Sequence, residues 1–171
     1  MHCALRLECK LLITQVGSFI EGLSREEQRT SIIDGLIACA PLLEEANITL
    51  MIEPINTSTF GGIPGYYLET AAEAFEIIEK VNSDNVKILY DFYHQQITEG
   101  NIIRNILPKL HMISHFHAAG VPDHNEIYKS EIDYKYLFDK LKSAGYTGCI
   151  GLEYNAVDDY NQAFKKSLEL V

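Results

Sequence analysis

Residues 50–54 read Leu-Met-Ile-Glu-Pro, a short apolar run that ends on the carboxylate of Glu53. Three later runs share this design and end on Asp91, His117 and Glu153. Short apolar runs of this kind are typical of strands that are buried in a parallel sheet. One charge at the end of a buried strand is common, but four in succession indicate a shared site. Three carboxylates and one imidazole therefore predict a divalent cation at the C-terminal edge of the sheet, and an enzyme.

Strands and helices alternate along the chain, which predicts parallel strands joined by right-handed helical crossovers. The strands are expected to end at Gly17, Glu53, Asp91, His117 and Glu153. The helices are expected over residues 25–46, 70–81, 100–107, 133–144 and 159–170. Pro41 should kink or divide the first of these helices. Thr70 to Glu73 forms a capping-box pattern, and Asp133 is placed to cap a later helix.

Two architectures fit five such units: a doubly wound open sheet, or part of a (β/α)₈ barrel. In a barrel all strand ends converge on one axis, so four ligand-type residues on four strands favour the barrel. A full barrel needs about 250 residues, whereas this chain has 171. Residues 1–171 are therefore predicted to form a single α/β domain, a partial TIM-type barrel with about five parallel strands, equivalent to strands four to eight. The expected open edge could be covered by a homodimer.

The composition argues against several classes of partner. The formal net charge of −10 disfavours binding to nucleic acid or to an anionic membrane surface. No apolar run approaches the roughly 20 residues that cross a bilayer, and the first residues lack the pattern of a signal peptide. The cysteines, which show no metal-type or redox spacing, are predicted to be reduced and mostly buried thiols in a cytoplasmic protein. They are Cys3, Cys9, Cys39 and Cys149.

Side chains alternate between the two faces of a strand, which sorts the residues beneath the expected site. If Glu53 points into the barrel, so does Met51; by the same rule Gly151 accompanies Glu153, and His115 lies one layer below His117. The expected interior is therefore mostly apolar below and polar at its mouth. An oxygen-rich ligand set of this kind suits Mg²⁺ or Mn²⁺ better than Zn²⁺.

Each of these residues also has a purely structural interpretation. Glu53 could be a solvated residue before proline, Asp91 could cap the following helix, and His117 could be a hydrogen-bonded core histidine. Considered together, the four favour a metal site, whereas His115 is open to either interpretation. Carboxylates around a cation are suited to proton transfer at carbon through an enediolate. Glu53 and Glu153 are the candidate acid/base pair.

Several stretches of the chain closely resemble the hydroxypyruvate isomerase family, which belongs to the xylose-isomerase-like barrels. The stretches are residues 52–57, 63–68, 90–96, 99–100, 131–134 and 145–154. The resemblance implies reversible conversion of hydroxypyruvate into tartronate semialdehyde, an aldose–ketose-type isomerisation. It also implies that Glu53, Asp91, His117 and Glu153 are metal ligands, that Glu53 and Glu153 exchange the proton, and that His94 binds substrate oxygens. Asn56 and His124 are further candidates for contacts with a small hydroxy-carbonyl substrate.

The chain departs from the family pattern in three respects. Members often carry glutamine in place of His117, although related epimerases use histidine there. Many carry arginine in place of His124, and a guanidinium grips a carboxylate in a fork that histidine cannot reproduce. Members are also about 260 residues long, so the first three βα units are expected to be missing. We therefore expect a chain that binds Mg²⁺ or Mn²⁺ and isomerises slowly.

Other functions remain open at this point. A ketose 3-epimerase or a 2-oxo-tetronate isomerase would use the same two glutamates on a longer substrate. An apurinic endonuclease of the same superfamily would need zinc, more histidines and a basic surface, which the charge of −10 argues against. A catalytically weak fragment that acts as a binding partner is the alternative from a different class.

Overall fold

The computed structural model describes residues 2–58 and 60–171. Five strands form one sheet in the order in which they occur in the chain, and every neighbouring pair is parallel. The strands are β1 Leu11–Thr14, β2 Thr49–Ile52, β3 Val86–Asp91, β4 Ile113–Ala118 and β5 Ile150–Leu152. Sequential order with a common direction is the strand arrangement of a (β/α) barrel. The predicted partial barrel is confirmed as a curled half-barrel.

Helices lie over the predicted stretches 25–46, 70–81, 100–107, 133–144 and 159–170, and two further helices, at residues 2–6 and 92–98, lie outside the predicted ranges. They are α1 His2–Arg6, α2 Arg25–Ala46, α3 Ala71–Val81, α4 Phe92–Thr98, α5 Ile102–Ile106, α6 Tyr134–Ser143 and α7 Tyr160–Leu168, with a 3₁₀ helix at Leu107–Met112. Pro41 lies inside α2 without dividing it. Within the described residues, no helix has both the length and the apolar character that crossing a bilayer requires.

Polar side chains define where the longer helices begin. Ser24 and Glu27 form a reciprocal capping box at the start of α2. Asp133 caps α6 as predicted, by accepting a hydrogen bond from the backbone of Tyr136. At α3 the predicted box is only half formed: Thr70 accepts from the backbone of Glu73. The Glu73 carboxylate instead pairs with arginine on α2, so it ties two helices together.

The two faces of the sheet have different neighbours. Ile52, Ile88 and Phe116 point outward into the main hydrophobic core, which the sheet shares with the helices. Met51 and Leu89 are buried on the opposite, inner face, as the alternation of side chains predicted. The helix-side core therefore fixes the strands, and the inner face is left to carry the site at its C-terminal end.

The inner face is uncovered on the β1 side. Leu12 packs against the helix-side core, whereas Leu11 and Ile13, which point the other way, are 40% and 49% exposed. Strand β1 pairs with β2 alone, and β5 pairs with β4 alone, among the strands that the structure describes. Both ends of the curled sheet therefore present free strand edges.

The prediction that the cysteines are mostly buried is wrong, because all four are exposed, although they are free thiols as expected. Cys39 lies in an apolar stretch of α2, yet the buried positions of that stretch are Leu36, Ala40 and Leu43. An apolar run wraps around a helix, so it places some of its members on the solvent side. Cys149 directly precedes β5, where it is not covered by another element.

Gln95 on α4 connects the end of β2 to the start of α3. Its side chain is fully buried. The amide nitrogen donates to the carbonyl oxygens of Pro54, at 2.9 Å, and Glu69, and the amide oxygen accepts from the backbone of Ala71, at 2.9 Å. Because Pro54 directly follows Glu53, this amide fixes the backbone beside a candidate ligand.

We expect Gln95→Leu to lower the free energy of unfolding by about 2–4 kcal/mol, because it leaves buried backbone groups without partners at similar side-chain volume. Urea unfolding followed by circular dichroism measures the change. Gln96→Leu is the matched control, since the Gln96 amide makes one long hydrogen bond, 3.4 Å to Glu131. Equal loss in the two variants would contradict the assignment.

Candidate metal centre

Four side chains from four neighbouring strands meet at the C-terminal mouth of the half-barrel. Glu53 follows β2, Asp91 ends β3, His117 lies near the end of β4, and Glu153 follows β5. One ligand-type atom of each residue lies within 4.8 Å of those of the other three. The curl of the sheet thus brings together the four residues that the sequence pattern singled out. Their spacing would let all four reach one ion.

The four side chains differ in their exposure and contacts. Glu53 and Asp91 are buried, whereas the side chain of Glu153 is 55% exposed. His117 Nδ1 lies 2.8 Å from a carboxylate oxygen of Glu153 and 3.9 Å from one of Glu53. The imidazole thus stands between two carboxylates, one enclosed and one accessible from solvent.

Asp91 uses its two oxygens differently. Oδ1 caps α4 by accepting hydrogen bonds from the backbone of Tyr93, at 2.7 Å, and His94, at 3.3 Å. Oδ2 is buried and makes no hydrogen bond to any residue that the structure describes. The helix-capping and ligand interpretations of Asp91 are therefore compatible, because the cap fixes one oxygen and leaves the other for a cation.

The concentration of carboxylates shifts their protonation in the metal-free chain. Burial, reinforced by the charges of Asp91 and Glu153, raises the pKa of Glu53 to about 8. Burial also raises the pKa of Asp91 to about 6, although His117 and the helix backbone oppose the shift. The hydrogen bond from His117 lowers the pKa of Glu153. Burial alone would lower the pKa of His117, but Glu153 and the other carboxylates raise it.

These observations fit a divalent cation. Carboxylates that repel one another, together with a buried acceptor oxygen without a partner, are stabilised when a cation is placed between them. The donors are three carboxylates and one imidazole, which is compatible with hard divalent metals. Glu53, Asp91, His117 and Glu153 are the residues that would hold it.

His94 and Asn56 form a buried pair beside the cluster. Asn56 Oδ1 accepts from the backbone of Ser58, so its amide nitrogen donates to His94 Nδ1, at 2.8 Å. Burial and the nearby His124 lower the pKa of His94 to about 4, so the ring is neutral at pH 7. A neutral ring that accepts at Nδ1 carries its proton on Nε2. Nε2–H is thereby the donor of the His94 ring.

His124 and Tyr93 bring two loops together near this pair. The His124 ring lies edge-on to the fully buried Tyr93 ring, with ring centroids 4.4 Å apart. The backbone of His124 has a positive φ of 56°. The Tyr93 hydroxyl bonds to the carbonyl oxygens of Phe60 and Pro122, which follow β2 and β4. Burial lowers the pKa of His124, which places a second neutral imidazole on this side of the site.

Sequence reasoning missed several residues that position the site. Tyr66 donates to the carbonyl oxygen of Glu53, at 3.0 Å, and accepts from the backbone of Val16. Tyr93 and Gln95 act in the same supporting manner, and none of the three lies at a strand end. The only signal available was that they fall in or near the family-like stretches. His115, which was open to two interpretations, lies outside the cluster, with its ring 5.2 Å from that of His117.

Comparisons with known proteins agree with the fold. The family model described as a xylose isomerase-like TIM barrel matches residues 1–171. The chain is 34% identical over 155 residues to a 2-oxo-tetronate isomerase of Haemophilus influenzae, covering 90% of this chain and 58% of that protein. It is also 34% identical over 139 residues to the hydroxypyruvate isomerase of Escherichia coli, covering 81% and 53%.

A crystal structure described as an AP endonuclease, family 2, from Brucella melitensis superposes on the chain with a TM-score of 0.89 at 34% identity, covering 98% of this chain and 64% of that one. The chain spans a little over half the length of the two curated relatives. The family match covers all the residues described, and the strand order is that of a (β/α) barrel. The chain belongs to the xylose isomerase-like TIM barrel family.

Proposed function

We propose that this chain carries the metal centre and the acid/base pair of an isomerase that acts on a small hydroxy-carbonyl compound. The reaction would be an aldose–ketose-type conversion, such as that of hydroxypyruvate into tartronate semialdehyde. The observation that carries the proposal is the meeting of Glu53, Asp91, His117 and Glu153 within 4.8 Å. The names of the Escherichia coli and Haemophilus influenzae relatives support the reaction class.

The cation would be Mg²⁺ or Mn²⁺ rather than Zn²⁺, because carboxylate oxygens dominate the ligand set. When bound, it would polarise the substrate carbonyl and the neighbouring hydroxyl, which acidifies the proton on carbon. Asp91 Oδ2 and the carboxylates of Glu53 and Glu153 would hold it, together with His117. The exposed side of Glu153 leaves room for a substrate to approach from solvent.

Glu53 and Glu153 suit an acid/base pair because their surroundings push their proton affinities apart. Glu153 has a lowered pKa and is ionised at pH 7, so it can take a proton from carbon. Glu53 lies buried on the other side of His117 and would return a proton to the adjacent carbon; its raised pKa belongs to the metal-free chain, in which no cation competes for that proton. In the reverse direction the two carboxyl groups exchange roles, through the same enediolate.

Three polar side chains beside the cluster would orient the substrate. His94 would donate from Nε2 to a substrate oxygen, and Asn56 would keep that imidazole in the required tautomer. His124 would contact the end of the substrate that is remote from the cation. A neutral histidine binds a carboxylate more weakly than arginine does. This end of the site would therefore discriminate only weakly among substrates that carry a carboxylate.

The same geometry would serve related substrates. A 2-oxo-tetronate isomerase is supported by the Haemophilus influenzae relative, and a ketose 3-epimerase would need the same pair of glutamates. A panel of small 2-oxo and 2-hydroxy aldehydes in deuterated solvent separates these candidates.

The endonuclease named among the similar structures is less favoured for this chain, because a net charge of −10 repels a phosphate backbone. A catalytically weak chain that acts as a binding partner would instead be metal-free, inactive and monomeric.

We expect Glu53→Gln and Glu153→Gln each to slow exchange of the substrate carbon-bound proton with solvent deuterium by at least about 100-fold, since each removes one member of the acid/base pair. Hydroxypyruvate is incubated with the protein and Mn²⁺ in deuterated buffer, and proton NMR of samples from which Mn²⁺ has then been removed measures the exchange. Glu45→Gln on the exposed side of α2 is the control and should match the wild type. Wild-type exchange no faster than that of substrate alone would refute the isomerase proposal.

We expect Mn²⁺ to bind more tightly as the pH rises from 6 to 8.5, because the cation must displace protons from Glu53 and Asp91. Each displaced proton weakens binding by up to about tenfold per pH unit below the pKa of its group. Isothermal titration calorimetry in buffers of different ionisation enthalpy measures both the affinity and the protons released. Asp139→Asn, outside the cluster, should retain the wild-type profile. Affinity that stays constant across this pH range would contradict the assigned ligands.

We also propose that a second copy of the chain covers the exposed inner side of β1. A two-fold pairing at the β1 edge would also cover the inner face of β1, where the Ile13 side chain is 49% exposed. Light scattering after size exclusion should show a dimer. We expect Ile13→Lys to raise the dissociation constant of this dimer by at least about tenfold. Ile37→Lys is the matched control, because Ile37 on α2 is 45% exposed and lies away from this edge. A monomer at every concentration, or equal effects of the two substitutions, would disprove the pairing.

A further inference from the structure

Gly151 lies in the same layer of the sheet as two of the candidate metal ligands. The register pairs Asp91 with His117, and His117 with Gly151, across three neighbouring strands. Side chains of paired residues point to the same face of a sheet. A side chain at position 151 would therefore point into the barrel, at the level of the His117 ring.

The His117 ring fills the space that a side chain at position 151 would need. A Cβ placed on Gly151 would lie 2.8 Å from His117 Cδ2 and 3.2 Å from His117 Nε2, closer than ordinary van der Waals contact. It would also lie 3.1 Å from Nε2 of His115. The backbone of Gly151 is not in the left-handed region, so conformational freedom does not explain glycine here. The close approach of the imidazole does.

This close approach is what lets His117 reach Glu153. The imidazole lies across the backbone of β5 at Gly151, and Nδ1 comes within 2.8 Å of the Glu153 carboxylate two residues further along. The ring of His115 stands edge-on to that of His117, at 5.2 Å, and limits how far it can retreat. A methyl group at position 151 would therefore turn the His117 ring away from its partners.

We propose that Gly151 is a positioning residue, which leaves room for the His117 imidazole and so sets the geometry of the metal centre. The inference rests on the proposed metal-binding role of the cluster. It predicts that Gly151→Ala displaces one ligand of four while Glu53, Asp91 and Glu153 keep their places. Gly35, which is exposed in α2 and whose added Cβ would meet no described atom within 4 Å, provides a matched control.

We expect Gly151→Ala to weaken Mn²⁺ binding by at least about tenfold in calorimetric titration, whereas Gly35→Ala should leave it unchanged. The substitution should have little further effect in a His117→Ala background, because the colliding ring is then absent. If Gly151→Ala alone fails to fold but folds together with His117→Ala, the collision is demonstrated directly. The proposal would be overturned if Gly151→Ala bound Mn²⁺ with wild-type affinity. It would also be overturned if Gly151→Ala reduced the Mn²⁺ affinity by the same factor in the wild-type and His117→Ala backgrounds.

A metal-free measurement separates this proposal from the proposed function. In ¹H–¹⁵N spectra of the histidine rings, Gly151→Ala should shift the His117 signals and leave those of the exposed His111 in place. Unshifted His117 signals would refute the positioning role whatever the metal titration shows. Wild-type protein that binds Mn²⁺ without exchanging substrate protons would refute the isomerase while leaving the role of Gly151 intact.

Discussion

Repulsion among three carboxylates held around one point is the constraint on which the site depends. Each group would be ionised at pH 7 in water, but burial and mutual repulsion raise the pKa of Glu53 to about 8 and that of Asp91 to about 6. The fold maintains this unfavourable arrangement because hydrogen bonds from outside the cluster hold the backbone at Glu53 and the Oδ1 oxygen of Asp91. A cation would relieve the repulsion, and the cluster is therefore compatible with a divalent metal.

The supports of the site are hydrogen bonds to the backbone rather than contacts with the ligands alone. The hydroxyl of Tyr66 binds the carbonyl oxygen of Glu53, and the amide of Gln95 binds that of the next residue, Pro54. Asp91 is fixed by the first turn of the helix that it caps. A side chain whose own backbone is fixed loses little further entropy when it binds an ion or a substrate. Loops after β2 and β4 are joined through Tyr93 in the same way.

Much of the fold was predictable because alternating strands and helices leave strong local patterns. The bounds of α2 agree with the range expected from the helical spacing of its apolar positions. The errors came from features that depend on neighbours in space. Cys39 was expected inside although the helix turns it outward, and Glu73 bonds to arginine on another helix instead of completing a capping box. In the broadly apolar stretch of α2, local sequence does not specify which residues meet the sheet, and it never specifies which partner a carboxylate finds.

The sequence by itself determined the class of the protein, the parallel order of its strands and the identity of four ligand-type residues, because these are properties of periodicity and of strand ends. Only the tertiary structure decided that the four converge, that one oxygen of Asp91 is spare, and that Asn56 sets the tautomer of His94. The close approach of the His117 ring to the glycine at position 151 is likewise visible only in the tertiary structure. The physical reason is that such distances arise from the curl of the sheet and from packing between residues far apart in the chain.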